Sequence, residues 1–231
     1  MRTKINVLGL EKSPPEKTYP LIELVGQIDC GKKAIAPLLA KRIYGTYLTF
    51  PCLNPESFTG RALIAALTTS PRELEKNPGW WFHLYSANLF EFKDQLNGLL
   101  KLMPVVVTNY LIGMRTWANA TGIDMDHFLK GFSTGLPNTT KAYSIIGSPW
   151  DTPGNLRSNF SSEFQFRVNR NMANPHDKRV TKHFIPQDIS RSNQLNTIVR
   201  ELATDIDNRY HTGLDLTALY SHTDFLGKNF K

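Results

Sequence analysis

One short segment constrains the fold of this chain more than any other. An apolar run at residues 21–25 is followed by Gly26, four further residues, and then Gly31 and Lys32. This spacing after a predicted strand is typical of a loop that wraps around phosphate, with the next helix directing its backbone N–H groups at the anion. We therefore expect a nucleotide-binding fold in which Gly26, Gly31 and Lys32 bind phosphate, with Lys32 as the catalytic cation.

The residue after this lysine departs from the pattern. A Ser or Thr is expected there, because its hydroxyl ligates Mg²⁺, whereas this chain has Lys33. An ammonium group has no lone pair to offer a metal ion and repels it. We still expect Lys33 and Asp29 to line the phosphate site. The sequence predicts no metal ligand and argues against Mg²⁺ as a cofactor.

Composition indicates a packed globular protein. The chain has 231 residues, of which 41% are hydrophobic and 11% aromatic, enough for one domain with a substantial core. No apolar run approaches the ~20 residues of a membrane span, and residues 1–20 lack the apolar segment of a signal peptide. With two cysteines and no disulfide framework, a cytoplasmic protein without a membrane partner is expected.

The net charge of +7 is interpreted as ordinary solubility. Residues 151–200 are locally basic, with eight Lys and Arg against four Asp and Glu. They lack an aromatic-basic repeat, so a solvated face is favoured over a nucleic-acid partner. The six histidines show no metal-ligand spacing and are interpreted as structural.

Predicted strands and helices alternate along the chain, which indicates an α/β fold with a five-stranded parallel sheet flanked by helices in three layers, as in P-loop NTPases. We expect a domain over residues 19–208, an N-terminal extension at 1–18 and a tail at 209–231. Pro37 should distort the first helix. Strands are expected at 19–25, 47–50, 103–107, 142–146 and 183–185, and helices at 32–44, 58–67, 78–102, 113–121, 124–133, 161–172 and 190–207.

Several segments, in order over roughly residues 20–205, resemble thymidylate kinases. Residues 84–91 read LYSANLFE against the family's LFSANRWE, and residues 105–110 read VVVTNY against VVVDRY. Phe50-Pro51 matches the FP pair after the family's second strand. The remaining matches are Leu136-Pro137 before a strand and Ser148-Pro149 after it, then Glu163-Phe164-Gln165 with Arg167-Val168.

The resemblance implies a P-loop nucleoside monophosphate kinase, in which ATP donates its γ-phosphoryl group to dTMP. It implies ATP as the nucleotide ligand and a homodimer packed through helices. The apolar residues Trp81, Leu84, Phe92 and Leu96 would supply that interface, or else fill the core of one chain. The resemblance places these residues in the monophosphate and base site: Phe50, Tyr85, Asn88, Asn109 and Tyr110. Tyr85 would stack on the base there, or be a core aromatic of its helix.

The departures from the family concentrate on groups that handle charge. Charge-assisted contacts to phosphate are worth about 1.5–3 kcal/mol each, so losing three arginines and a metal ligand removes several kcal/mol of binding or transition-state stabilisation. The family's Asp-Arg pair is Thr108-Asn109 in this chain, and its arginines after FP and in SANR are Leu53 and Leu89. An acidic residue of the family's glycine loop is replaced by Ile28, with Asp29 beside it. The family's arginine-bearing lid corresponds to residues 148–160, whose only arginine is Arg157.

Two functions remain open from the sequence. The first is a thymidylate-kinase-like protein with impaired or lost kinase activity and a binding or structural role. The alternative is a divergent but active (deoxy)nucleoside monophosphate kinase whose basic groups have moved, with Arg61, Arg115 and Arg157 as candidates. Two or more guanidinium groups within reach of the acceptor phosphate would favour the alternative.

Overall fold

The computed structural model describes residues 18–26, 30–69, 73–125, 135–146, 161–173, 177, 179–184 and 191–210. Asp29, Arg157 with its loop, residues 1–17, the tail beyond residue 210 and most of the helix expected at 124–133 lie outside these ranges. Within the described ranges, no helix combines the length and apolarity that crossing a membrane requires.

The sheet has five strands, all parallel, as expected from the sequence. The apolar run before the glycine loop forms the central strand, and every residue of that strand is buried, because helices cover both faces of such a sheet. The strands are β1 Leu21–Gly26, β2 Thr46–Thr49, β3 Val105–Thr108, β4 Lys141–Ile146 and β5 Val180–Phe184, in the order β2-β3-β1-β4-β5.

The helices lie on both faces of this sheet and follow the predicted alternation with three differences, the first of which is an unpredicted short helix at 73–76. The helices of the described ranges are α1 Lys32–Arg42, α2 Phe58–Thr69, α3 Glu73–Lys76, α4 Pro78–Glu91, α5 Lys93–Leu100, α6 Leu111–Ala120, α7 Ser162–Ala173 and α8 Arg191–Tyr210. The single helix expected over 78–102 is wrong: it is broken at Phe92, where the turn allows both Leu96 and Leu100 to enter the core. By contrast, α1 continues through Pro37.

Alternate residues of each strand pack on opposite faces of the sheet. Leu24 joins a cluster with α1 and α8, whereas Val25 joins the larger cluster formed with α2 and α4–α7. Trp81 and Leu96 are buried in the larger cluster, and the partly buried Leu84 and Phe92 pack against it. The core of one chain therefore accounts for Trp81 and Leu96, whereas it covers Leu84 and Phe92 only in part.

Candidate functional site

The glycine loop begins where the central strand ends. Gly26 has φ 153°, and a Cβ atom there would lie 2.5 Å from the carbonyl oxygen of Ile145 and 2.8 Å from Sγ of Cys30. Gly31 adopts φ 82° as the N-cap of α1 and provides no side chain to cap that helix. Both glycines thus have conformations or contacts that disfavour a side chain.

Lys32 is the first residue of α1 and is buried. Its Nζ donates a hydrogen bond to the carbonyl oxygen of Gly26 at 3.3 Å, so the ammonium group reaches back across the loop to the end of β1. Lys33 follows as an exposed residue. A cation beside a helix N-terminus is the arrangement that binds phosphate in proteins.

The end of β3 lies next to β1, with Thr108 paired to Leu24. Thr108 is fully buried, and its Oγ1 has no hydrogen-bond partner among the residues that the structure describes. By strand alternation its side chain is on the same face of the sheet as α1. The position therefore keeps a polar group but contributes no negative charge to hold a metal ion.

Asn109 turns the chain from β3 into α6. It adopts φ 54°, a left-handed conformation that Asn tolerates better than most residues. Its N–H donates to the Leu24 carbonyl at 3.3 Å, and its Nδ2 donates to the Phe50 carbonyl at 3.4 Å. Where the resemblance would place an arginine, the chain has a side chain that fastens the end of β3 to the end of β2.

Three aromatic residues expected in the base site are brought together here, but they are buried. Phe50, Tyr85 and Tyr110 are 1%, 4% and 0% exposed, and the Phe50 and Tyr110 rings lie 5.4 Å apart between centroids. The Tyr85 hydroxyl donates to the Asn109 carbonyl, and the Tyr110 hydroxyl donates to the Pro137 carbonyl at 3.0 Å. Burial raises the pKa of both tyrosines, so both hydroxyls remain neutral donors.

Asn88, also expected to contact the ligand, is fully buried and bonded to protein. Its Oδ1 accepts from the Cys52 N–H at 2.7 Å, while its Nδ2 donates to the Cys52 carbonyl at 3.1 Å and to Oγ1 of Thr59 at 2.8 Å. Both amide hydrogens are therefore used. Asn88 holds the segment after β2 against α4.

Glu91 caps the N-terminus of α2 from the end of α4. Its carboxylate accepts from the backbone N–H groups of Phe58 at 3.1 Å and Thr59 at 3.0 Å, and from the Thr59 hydroxyl. The Thr59 hydroxyl contributes most to lowering the pKa of Glu91, and the charge of Arg61 adds to the effect. The helix start after β2 thus already holds a carboxylate of the protein itself.

Glu23 is a buried charge centre that the sequence-based reasoning missed. Its Oε2 accepts from the Ile112 N–H at 3.2 Å and the Thr139 hydroxyl at 2.8 Å, and its Oε1 accepts from the Gly113 N–H at 2.7 Å. Burial raises its pKa from 4.5 to about 7, although these hydrogen bonds oppose the rise. Glu23 therefore caps α6 from the middle of β1. The available signal was one acidic residue inside an otherwise apolar strand.

Two of the arginines proposed as replacements, Arg61 and Arg115, lie in the described structure. Arg61 acts on Glu91, as noted above. Arg115 contributes to lowering the pKa of Asp177, although the hydrogen bond from Arg179 to Asp177 is the larger cause. Asp177 precedes β5 and so lies at the amino edge of the sheet, away from the glycine loop at the carboxyl edge. The described residues also contain no cluster of three or more His, Cys, Asp or Glu that could hold a metal ion.

No protein-family profile matches this chain, and no curated protein matches it significantly. Solved structures do. Thymidylate kinase from Candida albicans superimposes with a TM-score of 0.62 at 15% identity, over 84% of this chain and 94% of the kinase. Thymidylate kinase from Ehrlichia chaffeensis gives 0.57 at 13%, over 82% and 100%. Deoxyadenosine kinase from M. mycoides gives 0.51 at 14%, over 80% and 99%.

These likenesses establish the architecture. The chain has the parallel five-stranded fold of P-loop nucleoside and nucleotide kinases. Within that class its fold is thymidylate-kinase-like, as the resemblance implied.

Proposed function

We propose that the protein binds nucleotide phosphates at the start of α1, that its phosphoryl transfer is impaired or lost, and that it acts as a binding or structural partner. One observation carries the proposal. The described ends of the glycine loop, Gly26, Gly31 and Lys32, support a phosphate site, while the positions that would handle metal and acceptor phosphate carry residues other than those of the family.

The metal is the first missing component. In the kinase reaction Mg²⁺ bridges the phosphates and neutralises the charge that develops during transfer. Lys33 replaces the hydroxyl ligand, and Thr108 offers a neutral, buried hydroxyl where the family has a carboxylate. We propose that nucleotide binds without a Mg²⁺ ion held by this chain, with Lys32 and Lys33 supplying positive charge.

The groups that would bind the acceptor phosphate are the second missing component. Of the three positions where the resemblance expects arginine, Leu53 is 44% exposed, Leu89 is 1% exposed in the core, and Asn109 bonds to Phe50. None of these side chains is a cation. Since each charge-assisted contact to phosphate contributes about 1.5–3 kcal/mol, positioning of an acceptor by these residues would be weaker by several orders of magnitude.

An active (deoxy)nucleoside monophosphate kinase is the second candidate. It is favoured by the kinase names of the structural neighbours and by the retained Lys32. Arg115 argues against it, because its charge acts on Asp177 at the opposite edge of the sheet, whereas Arg61, whose charge acts on Glu91 at the start of α2, is compatible with it. This candidate would need Arg157, which lies outside the described residues.

A homodimer, carried over from the resemblance, and a cytoplasmic location, expected from the two cysteines without a disulfide framework, complete the proposal. Light scattering at micromolar concentration tests the dimer. A mass of twice 26.2 kDa is expected, and a clean monomer would rule it out.

A coupled assay of dTDP formation from ATP and dTMP tests the catalytic part. We expect a rate no higher than that of Lys32→Met, the control that removes the remaining phosphate-site ammonium. Mg²⁺-dependent turnover on the order of 1–100 s⁻¹, as in ordinary kinases, would overturn the proposal and support the active alternative.

A further inference from the structure

We infer that the acceptor half of this site, formed by the ends of β2 and β3 with α4, has become part of the core and does not bind a nucleoside monophosphate. The consequence for ligand class, which rests on the proposed function, is that the protein takes one polyphosphate at the start of α1 and no second nucleotide.

Burial of the aromatic residues is the first argument. A side chain that stacks on a base must present a ring face to the space that the base enters. Tyr85 is 4% exposed, and Phe50 and Tyr110 are even less exposed. The two latter rings contact each other. These rings pack against protein, as core aromatics do.

The polar groups give the second argument. The Tyr85 hydroxyl donates to the Asn109 carbonyl, and the Asn109 amide donates to the Phe50 carbonyl. Asn88 donates both amide hydrogens to protein. Opening this region to a ligand would break several buried or partly buried hydrogen bonds at once, and each group left unpaired carries a desolvation cost.

The helix N-termini give the third. An anion would be attracted to the starts of α2 and α6, but Glu91 accepts the N–H groups of the first and Glu23 those of the second. A monophosphate dianion would meet protein carboxylates at both places. At α1 the N-cap residue is Gly31, which makes no side-chain cap, so the contrast lies within one edge of one sheet.

Calorimetric titration of the full chain with ATP, inorganic pyrophosphate and dTMP tests whether the acceptor half is closed to ligands, a property called closure below. We expect no dTMP binding up to millimolar concentration, and an ATP affinity unchanged within twofold by saturating dTMP concentrations. Stoichiometric dTMP binding, or a larger change in ATP affinity, would overturn the inference. Failure of ATP and pyrophosphate to bind would instead refute the phosphate site at α1. In that case the absence of dTMP binding would still support closure. Pyrophosphate binding as well as ATP would assign recognition to the phosphates.

A matched pair of tyrosine variants tests the same inference without a ligand. Tyr143 is also fully buried, lies on the opposite face of the sheet, and donates its hydroxyl to Asp205 at 2.6 Å. If Tyr85 is core, Tyr85→Ala and Tyr143→Ala should each lower Tm by about 10 °C. Tyr85→Phe and Tyr143→Phe, which keep the rings, should each give a smaller loss.

A ligand-facing Tyr85 would behave differently. Tyr85→Ala would then leave Tm unchanged within about 1 °C while Tyr143→Ala lowered it, and this result would overturn closure. If Tyr85→Ala does not fold, Tyr85→Phe decides: a Tm below wild type supports the buried hydrogen bond to Asn109, and an unchanged Tm contradicts it.

Discussion

The start of α1 and the ends of β2 and β3 occupy the same edge of one sheet, yet they have been preserved to different degrees. The first region is made mostly of backbone, from two glycines and a helix N-terminus, with the side chain of Lys32 added. The second depends on side chains, and in this chain Asn109, Leu53 and Leu89 stand where the resemblance expects arginines. Under the proposed function, a phosphate site built from main-chain groups persists through side-chain replacement, whereas one built from guanidinium groups is lost with them.

The two regions also differ in the contacts that their residues make. At the end of β1, the requirement for glycine persists because Gly26 lies so close to the Ile145 carbonyl of β4. At β2 and β3, aromatic rings and amide hydrogen bonds now connect the strand ends to α4. The first region should therefore respond to ligands, and the second to substitutions that weaken the core.

The largest effect is expected at Gly26. In Gly26→Ala, the new Cβ would meet the Ile145 carbonyl at 2.5 Å, so overpacking and backbone strain together should reduce the free energy of unfolding by about 4 kcal/mol. Gly98→Ala is the control: nothing lies within 4 Å of its Cβ, and alanine inside α5 should add about 0.5–1 kcal/mol. Urea unfolding measures both. Equal effects would refute the close approach at Gly26.

The next effect concerns pH and Glu23. Its pKa rises from 4.5 unfolded to about 7 folded, so the folded state binds the proton more tightly. Its contribution to stability is full below pH 4.5 and is lost as pH rises through 7. At about 1.4 kcal/mol per pKa unit, the free energy of unfolding should fall by roughly 3 kcal/mol between pH 4.5 and 8, relative to Glu23→Gln.

Glu91 provides the opposite control for that experiment. Its pKa is lowered, so its contribution is present above the unfolded pKa and is lost as pH falls through the folded pKa. Relative to Glu91→Gln, the wild-type protein should lose stability only in acid. A wild-type profile parallel to that of Glu23→Gln from pH 4.5 to 8 would show that Glu23 is not buried as described.

Asn88 tests the hydrogen-bonded side of the comparison. Asn88→Ala removes the three hydrogen bonds that this buried side chain makes with Cys52 and Thr59 and should cost about 2–3 kcal/mol of stability. Equilibrium unfolding measures the loss. Asn97→Ala is the control: its side-chain amide donates an exposed hydrogen bond to the Gly135 carbonyl, and its loss should cost less than about 1 kcal/mol. Equal small losses would mean that Asn88 is not a structural link.

Lys32 should give the smallest stability effect and a binding effect instead. Lys32→Met removes one ammonium group from the phosphate site, and a single charge-assisted contact corresponds to about a tenfold loss of pyrophosphate affinity or more. Lys41→Met, at the other end of α1, should leave the affinity unchanged. The same loss in both variants would point to general electrostatic attraction.

Much of the fold was predictable because its signals are local. Apolar β-branched runs marked β1 and β3, and the glycine spacing placed α1. The break at Phe92 was not predictable, because α4 and α5 together read as one apolar helical pattern and only packing against the sheet separates them. Expectations for the parts outside the described ranges stay predictions.

For the candidate site, the sequence indicated which residues would lie together, but it did not indicate which contacts they would make. The sequence indicated that Phe50, Tyr85, Asn109 and Tyr110 would meet, and they do. It could not show that they would bond to one another, because those contacts join residues far apart in the chain. Glu23 was missed for the same reason: its partners on α6 and before β4 follow it by about ninety residues or more.

Calorimetric titration of the full chain with ATP, in the presence and absence of Mg²⁺, tests the central claim most directly. If the backbone site persists while the metal-handling groups are gone, ATP should bind weakly with one site per chain, and Mg²⁺ should change its affinity by less than about threefold. No ATP binding, or an affinity that Mg²⁺ strengthens by tenfold or more, would contradict the account.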